Sequence, residues 1–293
     1  MAPKKKKKRT CLLSSTRPRN VKPKPTLSSQ TTQKLVRNYH TLKKQLSSAI
    51  AQADIPKAEA IKAEIEAAGG LKRYQEASIQ GQSAQRGGDT SKVLIEWLAD
   101  FGIGRKKKNQ GGRSRKLLEV GSLSPHNACS RSGIFEIKRI DLHSQHPDID
   151  EQDFMTMPLP NKEAICNEGF DIVSLSLVVN FVSDAAQRGE MLRRVGSFFR
   201  LDNDHEEGSK ECFPALFLVL PASCVLNSRY LNEPKLKEIM ESLGYELLER
   251  KLSSKLAYYL WKYREPVIHN VEAFKKEELR HGRSRNNFAI VVQ

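Results

Sequence analysis

The chain lacks the cysteine and histidine clustering that a metal centre needs. Cys11, Cys129, Cys166, Cys212 and Cys224 are scattered, with no CxxC pair and no Cys/His group at tetrahedral zinc spacing. Reduced intracellular thiols, and no metal, are therefore expected. Long apolar runs are missing too. The longest, Phe213–Ala222, is about half a bilayer span and is interrupted by Pro214 and Pro221. Neither a transmembrane helix nor a secretory signal is expected. No Ser–His–Asp or Cys–His arrangement stands near the turns that could carry a site, which argues against covalent acyl-transfer chemistry.

Acidic residues are absent from two stretches, and these carry the charge. Of 49 Lys and Arg, ten lie between Met1 and Lys24 and seven between Arg105 and Lys116, both without an acid. The rest of the chain holds 32 basic against 34 acidic residues, so the formal charge of +15 belongs to a tail and a loop. Such segments attract phosphates by counterion release without reading sequence. The run Lys4–Arg9, with the spaced bases that follow, also suits nuclear or nucleolar import. A generic solvated tail is the alternative.

Four regions are expected. Residues 1–30 form a disordered basic tail, too poor in apolar groups to offset the entropy of ordering. Residues 31–101 form a helical region: Leu35, Tyr39, Leu42, Leu46 and Ile50 recur at helical spacing, and Ala58, Ile61 and Ile65 continue beyond Pro56 as a second, antiparallel helix. Within it, the polar stretch through Tyr74, Gln75, Ser78, Gln82, Arg86 and Asp89 reads by composition as a solvated linker. A helix around Val93–Phe101 follows, with Asp89 or Thr90 as N-cap. Residues 102–116 form a basic flexible insertion.

Residues 117–293 alternate strand and helix. Strands are expected at Leu117–Val120, Ile134–Leu142, Phe170–Phe181 and Ala215–Leu220, with at least one in Leu247–Tyr263 and a last one at Phe288–Val292. Helices are expected at Asp184–Phe199 and Glu233–Leu243, the second closed by Gly244. The pattern means an α/β fold, a mainly parallel sheet covered on both faces.

In such sheets ligands bind beyond the carboxyl ends of the strands, where the strand order reverses. The first turn there is LLEVGSLSPHNA: Glu119 closes the strand, and Gly121 lets backbone approach a ligand with no Cβ in the way. Twenty residues after Gly121, Asp141 ends the second strand, where a carboxylate can accept two ribose hydroxyls. A dinucleotide site would add glycines to approach a pyrophosphate, yet Leu123 and Pro125 stand there. S-adenosylmethionine has no phosphate to cradle, and the loop fits it better than NAD. Asp153 and Phe154 could meet an adenine amino group and face; a turn acid with a core phenylalanine is the alternative. Asn180 and Phe181, at the end of the long apolar run, could hydrogen-bond and stack a target base, or could merely finish the strand. Methylating an adenine ring nitrogen needs only an aligned lone pair and no general base, whereas a ring carbon requires more chemistry, so the absence of a catalytic cysteine favours nitrogen as the target.

Six motifs then stand together in order: RYQEASIQGQSAQRGGDTSKVLIEWL, LLEVGSLS, RIDLHSQHPDIDEQDFMTMPLP, FDIVSLSLVVNFVSDAAQRGEMLRRV, SSKLAYYLWKY and RNNFAIVV. From about Leu71 onward the chain resembles the fungal nucleolar 25S rRNA adenine-N(1)-methyltransferase family. The resemblance implies a Rossmann-like class I methyltransferase fold and a methyl transfer from S-adenosylmethionine to N1 of an adenine in large-subunit rRNA, during ribosome assembly in the nucleolus. The expected partner is the RNA or a pre-ribosomal particle. The resemblance implies that Gly121 and Asp141 contact the cofactor and makes Asp153, Phe154 and Asn180 pocket residues; the strand-end reading adds Glu119 on the cofactor side and Phe181 beside Asn180 in positioning the target. The family also looks related to an animal S-adenosylmethionine sensor, and an RNA-binding assembly factor with an idle fold is a third reading. The polybasic segments favour the enzyme over the sensor.

Overall fold

The computed structural model describes residues 28–81, 88–104, 114–144, 146–161, 165–200, 212–264 and 273–293. The expected basic tail up to residue 27 and most of the basic insertion, 105–113, lie outside them.

Three helices open the described chain: α1 (Ser29–Ala51), α2 (Ile55–Ala67) and α3 (Gly70–Gly81). Ser28 caps α1 by accepting the Thr31 amide, and Asp54 caps α2 by accepting that of Lys57. Leu42, Leu46 and Ala49 of α1 share an apolar cluster with Ala58, Ile61 and Ile65 of α2, so the two form the antiparallel pair that the spacing predicts. Helix α3 replaces the solvated linker expected there. Gln75 and Ala77 are buried, Tyr74 and Ser78 are partly buried, and the helix lies against α1. Its polar residues hid a helical face whose partners are themselves polar and aromatic.

Helix α4 (Ser91–Asp100) follows, close to its expected position. It packs on the sheet rather than on α1–α3: Leu94 and Leu98 are fully buried there, and the Trp97 ring meets that of Phe217 edge-on at 6.0 Å. The sheet's strands and helices then run β1 (Arg115–Val120), α5 (Ala128–Ser132), β2 (Phe135–Asp141), β3 (Asp150–Glu151), α6 (Ile165–Glu168), β4 (Ile172–Ser176), α7 (Ala185–Val195), β5 (Ala215–Pro221), α8 (Ala222–Leu226), α9 (Glu233–Ser242), β6 (Tyr245–Leu252) and β7 (Leu256–Tyr263). Their order across the sheet is β3-β2-β1-β4-β5-β7-β6. All pairings are parallel except those that β7 makes with β5 and β6. The inner strands β1, β4 and β5 are almost wholly buried, as parallel strands covered on both faces must be.

Two expectations fail locally. The apolar run Phe170–Phe181 is not one strand: Leu177 adopts φ 60°, and the chain leaves the sheet for a turn closed by the Phe181 amide on the Val178 carbonyl. Asn180 and Phe181 therefore sit in that turn, four and five residues past the strand end. Phe288–Val292 is no ladder strand either. Among the described residues it makes a single bridge, Val292 with Phe274, and its apolar side chains instead dock on α7, where Gly189 leaves room for the Val291 carbonyl. No helix among the described residues is long and apolar enough to cross a membrane.

Candidate functional site

The sheet reverses direction between β1 and β4, so a crevice opens beyond their carboxyl ends. Register brings the expected residues to it. Val120 stands opposite Ile140 and Leu175, which places Gly121 level with Asp141 on one side and with Ser176 on the other. Gly121 has φ 70°, and a Cβ there would lie 2.7 Å from Val178 Cγ2. Glycine is required on both counts. Its amide and that of Ser122 both donate to the Ile140 carbonyl, at 2.8 and 3.2 Å, so the turn is pinned to the strand that ends in Asp141.

Asp141 is half-buried, and burial raises its carboxyl above the usual range despite the opposing hydrogen bond from the His143 amide to Oδ1 at 2.9 Å. Oδ2 has no protein partner among the described residues. Next to it the Gln152 amide donates to the Asp141 carbonyl at 2.9 Å, which holds the turn carrying Asp153 at the same end of the sheet. Asp153 Oδ1 accepts the Met155 amide at 2.8 Å.

Two expected cofactor residues do not face this crevice with their functional groups. Glu119 is 6% exposed and both oxygens are engaged, Oε1 by Asn127 Nδ2 at 2.7 Å and Oε2 by Arg139 Nε at 3.1 Å. Burial raises its carboxyl, and these partners oppose the rise. Asn127 in turn caps α5 through the Ser130 amide, and Arg139 donates to Ser130 Oγ at 2.7 Å. Glu119 thus holds the loop between Gly121 and α5 in shape. Phe154 is 2% exposed, with its ring 5.1 Å from that of Phe198 in the core. Its ring cannot stack on a ligand; the core alternative is the observed one.

The wall opposite the sheet comes from the N-terminal helices, which sequence reasoning did not assign to the site. Gln75 of α3, 3% exposed, donates through Nε2 to the His143 carbonyl at 2.7 Å. One residue earlier, Tyr74 stacks on Tyr39 of α1 at 4.4 Å and meets Phe181 edge-on at 6.0 Å. His40 of α1 lies 4.3 Å from the Phe181 ring and 5.2 Å from that of Tyr74. Burial pushes the Tyr74 phenol up to about 12, with a smaller push from Asp141, and lowers His40 to about 4, so both are neutral near pH 7. Thr90, ahead of α4, shares a hydrogen bond of 2.8 Å with Ser176 at the end of β4. Tyr74, Gln75 and Ser78 at positions i, i+1 and i+4 gave a usable helical signal; His40 gave none.

Two buried polar atoms at this junction have no hydrogen-bond partner, His40 Nε2 and Asn180 Oδ1, while the Ser78 hydroxyl is close enough to Tyr74 to lower its phenol against the effect of burial. Buried polar groups are nearly always paired, so two such atoms at one crevice mark a place where a ligand completes the bonding. By contrast, a cavity of about 270 Å³ between α7 and residues 291–293 holds only Glu190 and Arg193 as charged side chains, and these pair with each other. No group of three or more metal-ligating side chains occurs among the described residues.

The crevice fits a nucleoside without phosphates: a glycine that admits close approach, a carboxylate oxygen level with it, and no glycine-rich cradle. Together with the strand order 3-2-1-4-5-7-6 and its antiparallel seventh strand, it defines a class I S-adenosylmethionine-dependent methyltransferase. Residues 59–290 match the family described as 25S rRNA (adenine(2142)-N(1))-methyltransferase, Bmt2, and the chain belongs to that family. It is 38% identical over 262 residues to the 25S rRNA adenine-N(1) methyltransferase of Schizosaccharomyces pombe, covering 88% of this chain and 90% of that protein. It is 36% identical over 225 residues to the 25S rRNA (adenine(2142)-N(1))-methyltransferase of Saccharomyces cerevisiae, covering 76% of this chain and 60% of that longer protein. Among solved structures, the 16S rRNA methylase RmtB aligns at 13% identity with a TM-score of 0.42, over 82% of this chain and all of that one. That likeness is too loose to bear on function.

Proposed function

We propose that this chain transfers a methyl group from S-adenosylmethionine to N1 of an adenine in large-subunit ribosomal RNA, within a pre-ribosomal particle in the nucleolus. The observation that carries the reading is family membership over residues 59–290, which takes in α3, the sheet and the turns beyond it, though not Tyr39 and His40 of α1. Gly121 gives the cofactor close access to backbone, Asp141 Oδ2 accepts its ribose hydroxyls, and Asp153 lies toward its adenine. Glu119 acts through Asn127 and Arg139 to fix the loop. When bound, the sulfonium supplies a methyl group that ends on the N1 lone pair, leaving a neutral thioether and a cationic purine.

No proton leaves N1, so the chain needs no general base and its task is alignment. Asn180 and Phe181 position the target base at the mouth of the crevice. The neutral Tyr74 and His40 put no like charge beside the purine as it becomes cationic. The tail at residues 1–24 serves nucleolar import and, with the basic stretch from Arg105 to Arg113 ahead of β1, attraction to the RNA backbone.

The test is transfer of a labelled methyl group from S-adenosylmethionine to large-subunit RNA, followed by alkaline treatment. N1-methyladenosine rearranges to the N6-methyl isomer under alkali. Labelled product that shifts in this way supports the reading; cofactor binding with no transfer to free RNA or to precursor particles contradicts it.

A further inference from the structure

The orphaned atoms under α1 and α3 are not explained by the cofactor end of the crevice. His40 belongs to α1, Asn180 to the turn after β4, and both flank Phe181: His40 as the ring 4.3 Å away, Asn180 as the preceding residue. Phe181 is 39% exposed, the only large aromatic ring among the described residues left open to this degree. A partly open ring that touches His40 and follows Asn180, each of these with an unbonded polar atom, has the chemistry of a base pocket: a stacking face and an edge to be read.

Enzymes that modify a base swing it out of its stack and read it by hydrogen bonds in a pocket. For adenine N1 to receive the methyl group, N1 must stay free, so recognition has to use the neighbouring N6 amine and N7. N6 offers hydrogen-bond donors and N7 an acceptor. Asn180 Oδ1 is an acceptor, and a neutral imidazole has one N–H to donate. We propose that His40 and Asn180 form the reading edge of the acceptor-base pocket. The target adenine stacks on the part of the Phe181 ring that stands exposed, with His40 beside it: Asn180 Oδ1 accepts from N6–H, and His40 Nε2–H donates to N7.

Three consequences follow from the same residues. His40 keeps its tilted contact with Phe181, 37° between planes, and the purine uses the ring area that His40 leaves open. The two orphaned atoms gain partners only when the correct base is present. Guanine is refused at the chemical step, because its N1 carries a proton and offers no in-plane lone pair to the methyl group. The N-terminal helices thereby become part of the acceptor site rather than a separate appendage.

This inference rests on the adenine-N1 reading above, and its test separates the two. The full chain and its His40→Phe and His40→Gln variants are given RNA with adenine or 7-deazaadenine at the methylated position. Single-turnover rate and RNA affinity by fluorescence anisotropy are both followed. The wild type is expected to lose about tenfold on the 7-deaza RNA, the size of one neutral hydrogen bond. His40→Phe should lose about as much on adenine RNA and be indifferent to the 7-deaza change. His40→Gln, which keeps an N–H donor, should recover part of the preference. Circular dichroism and cofactor affinity should be unchanged in both variants. Equal treatment of the two RNAs by the wild type overturns the proposal, as do penalties that multiply in His40→Phe. Weaker cofactor binding with unaltered base preference would move His40 to the cofactor side and overturn it too. A wild type that methylates neither RNA removes the functional reading itself, a different failure from any of these.

Discussion

Gln75 of α3 donates its side-chain amide to the carbonyl of His143, two residues beyond Asp141, across 2.7 Å in a buried setting. This bond ties the N-terminal helices to the loop that follows the ribose-side carboxylate. Replacing Gln75 with Ala leaves that carbonyl unpaired and should cost about 1–3 kcal/mol in urea unfolding. Because α3 is the wall opposite Asp141, cofactor affinity by calorimetry should weaken in parallel. An unchanged affinity would show that the helices close the crevice without stiffening it.

Gly121 should tolerate no side chain. Gly121→Ala forces φ 70° on a residue with a Cβ and drives that Cβ to 2.7 Å from the β-branched Val178. A loss of about 1–3 kcal/mol in stability is expected, together with more than tenfold weaker cofactor binding. Gly121→Arg should abolish binding altogether. Cofactor titration of either folded variant checks this, and wild-type affinity would remove the turn from the site.

Glu119 should behave as a structural anchor. Glu119→Ala takes the counterion from the largely enclosed Arg139 and leaves it only its bond to Ser130 Oγ, and breaking such a pair costs about 3 kcal/mol. Glu119→Gln keeps an acceptor for Asn127 and should lose less. The drop should appear first in unfolding midpoints and in protection of the α5 amides from exchange, ahead of any change in cofactor contacts.

Part of the candidate site's geometry is legible in the sequence. Gly121 and Asp141 were visible because a turn glycine and a strand-end acid follow from backbone geometry, which sequence spacing reports directly. Glu119 reads from the sequence as a cofactor-side residue and Phe154 as either a base-stacking ring or a core ring; the structure turns Glu119 to Asn127 and Arg139 and puts Phe154 in the core. Whether a carboxylate or a ring faces outward depends on partners 20 and 44 residues away, Arg139 and Phe198, and local pattern is blind to those. The run Phe170–Phe181 looked like one strand because a buried turn is as apolar as a buried strand; only the left-handed Leu177 ends it. Helix α3 was missed because its buried face is made of Tyr74, Gln75 and Ala77, residues whose composition reads as linker.

His40 also gives the fold a pH signature. Burial lowers it to about 4, against the ordinary 6.5, so the unfolded chain binds this proton more readily than the folded one. Its contribution is therefore neutral above about pH 6.5, and stability is lost as pH falls from there toward 4. The loss is on the order of 3 kcal/mol for a shift of this size. His40→Phe should lack that share of the acid destabilisation, so the gap between variant and wild type in urea unfolding should widen from pH 7 to pH 4.5. Parallel curves would contradict the burial of a neutral imidazole.

The central claim is that this crevice methylates N1 of one adenine in large-subunit rRNA. The most direct measurement maps N1-methyladenines in that RNA from cells with the protein, without it, and with Gly121→Arg in its place. One position should lose its methyl group in the second and third cases and keep it in the first. An unchanged map in cells without the protein would contradict the account.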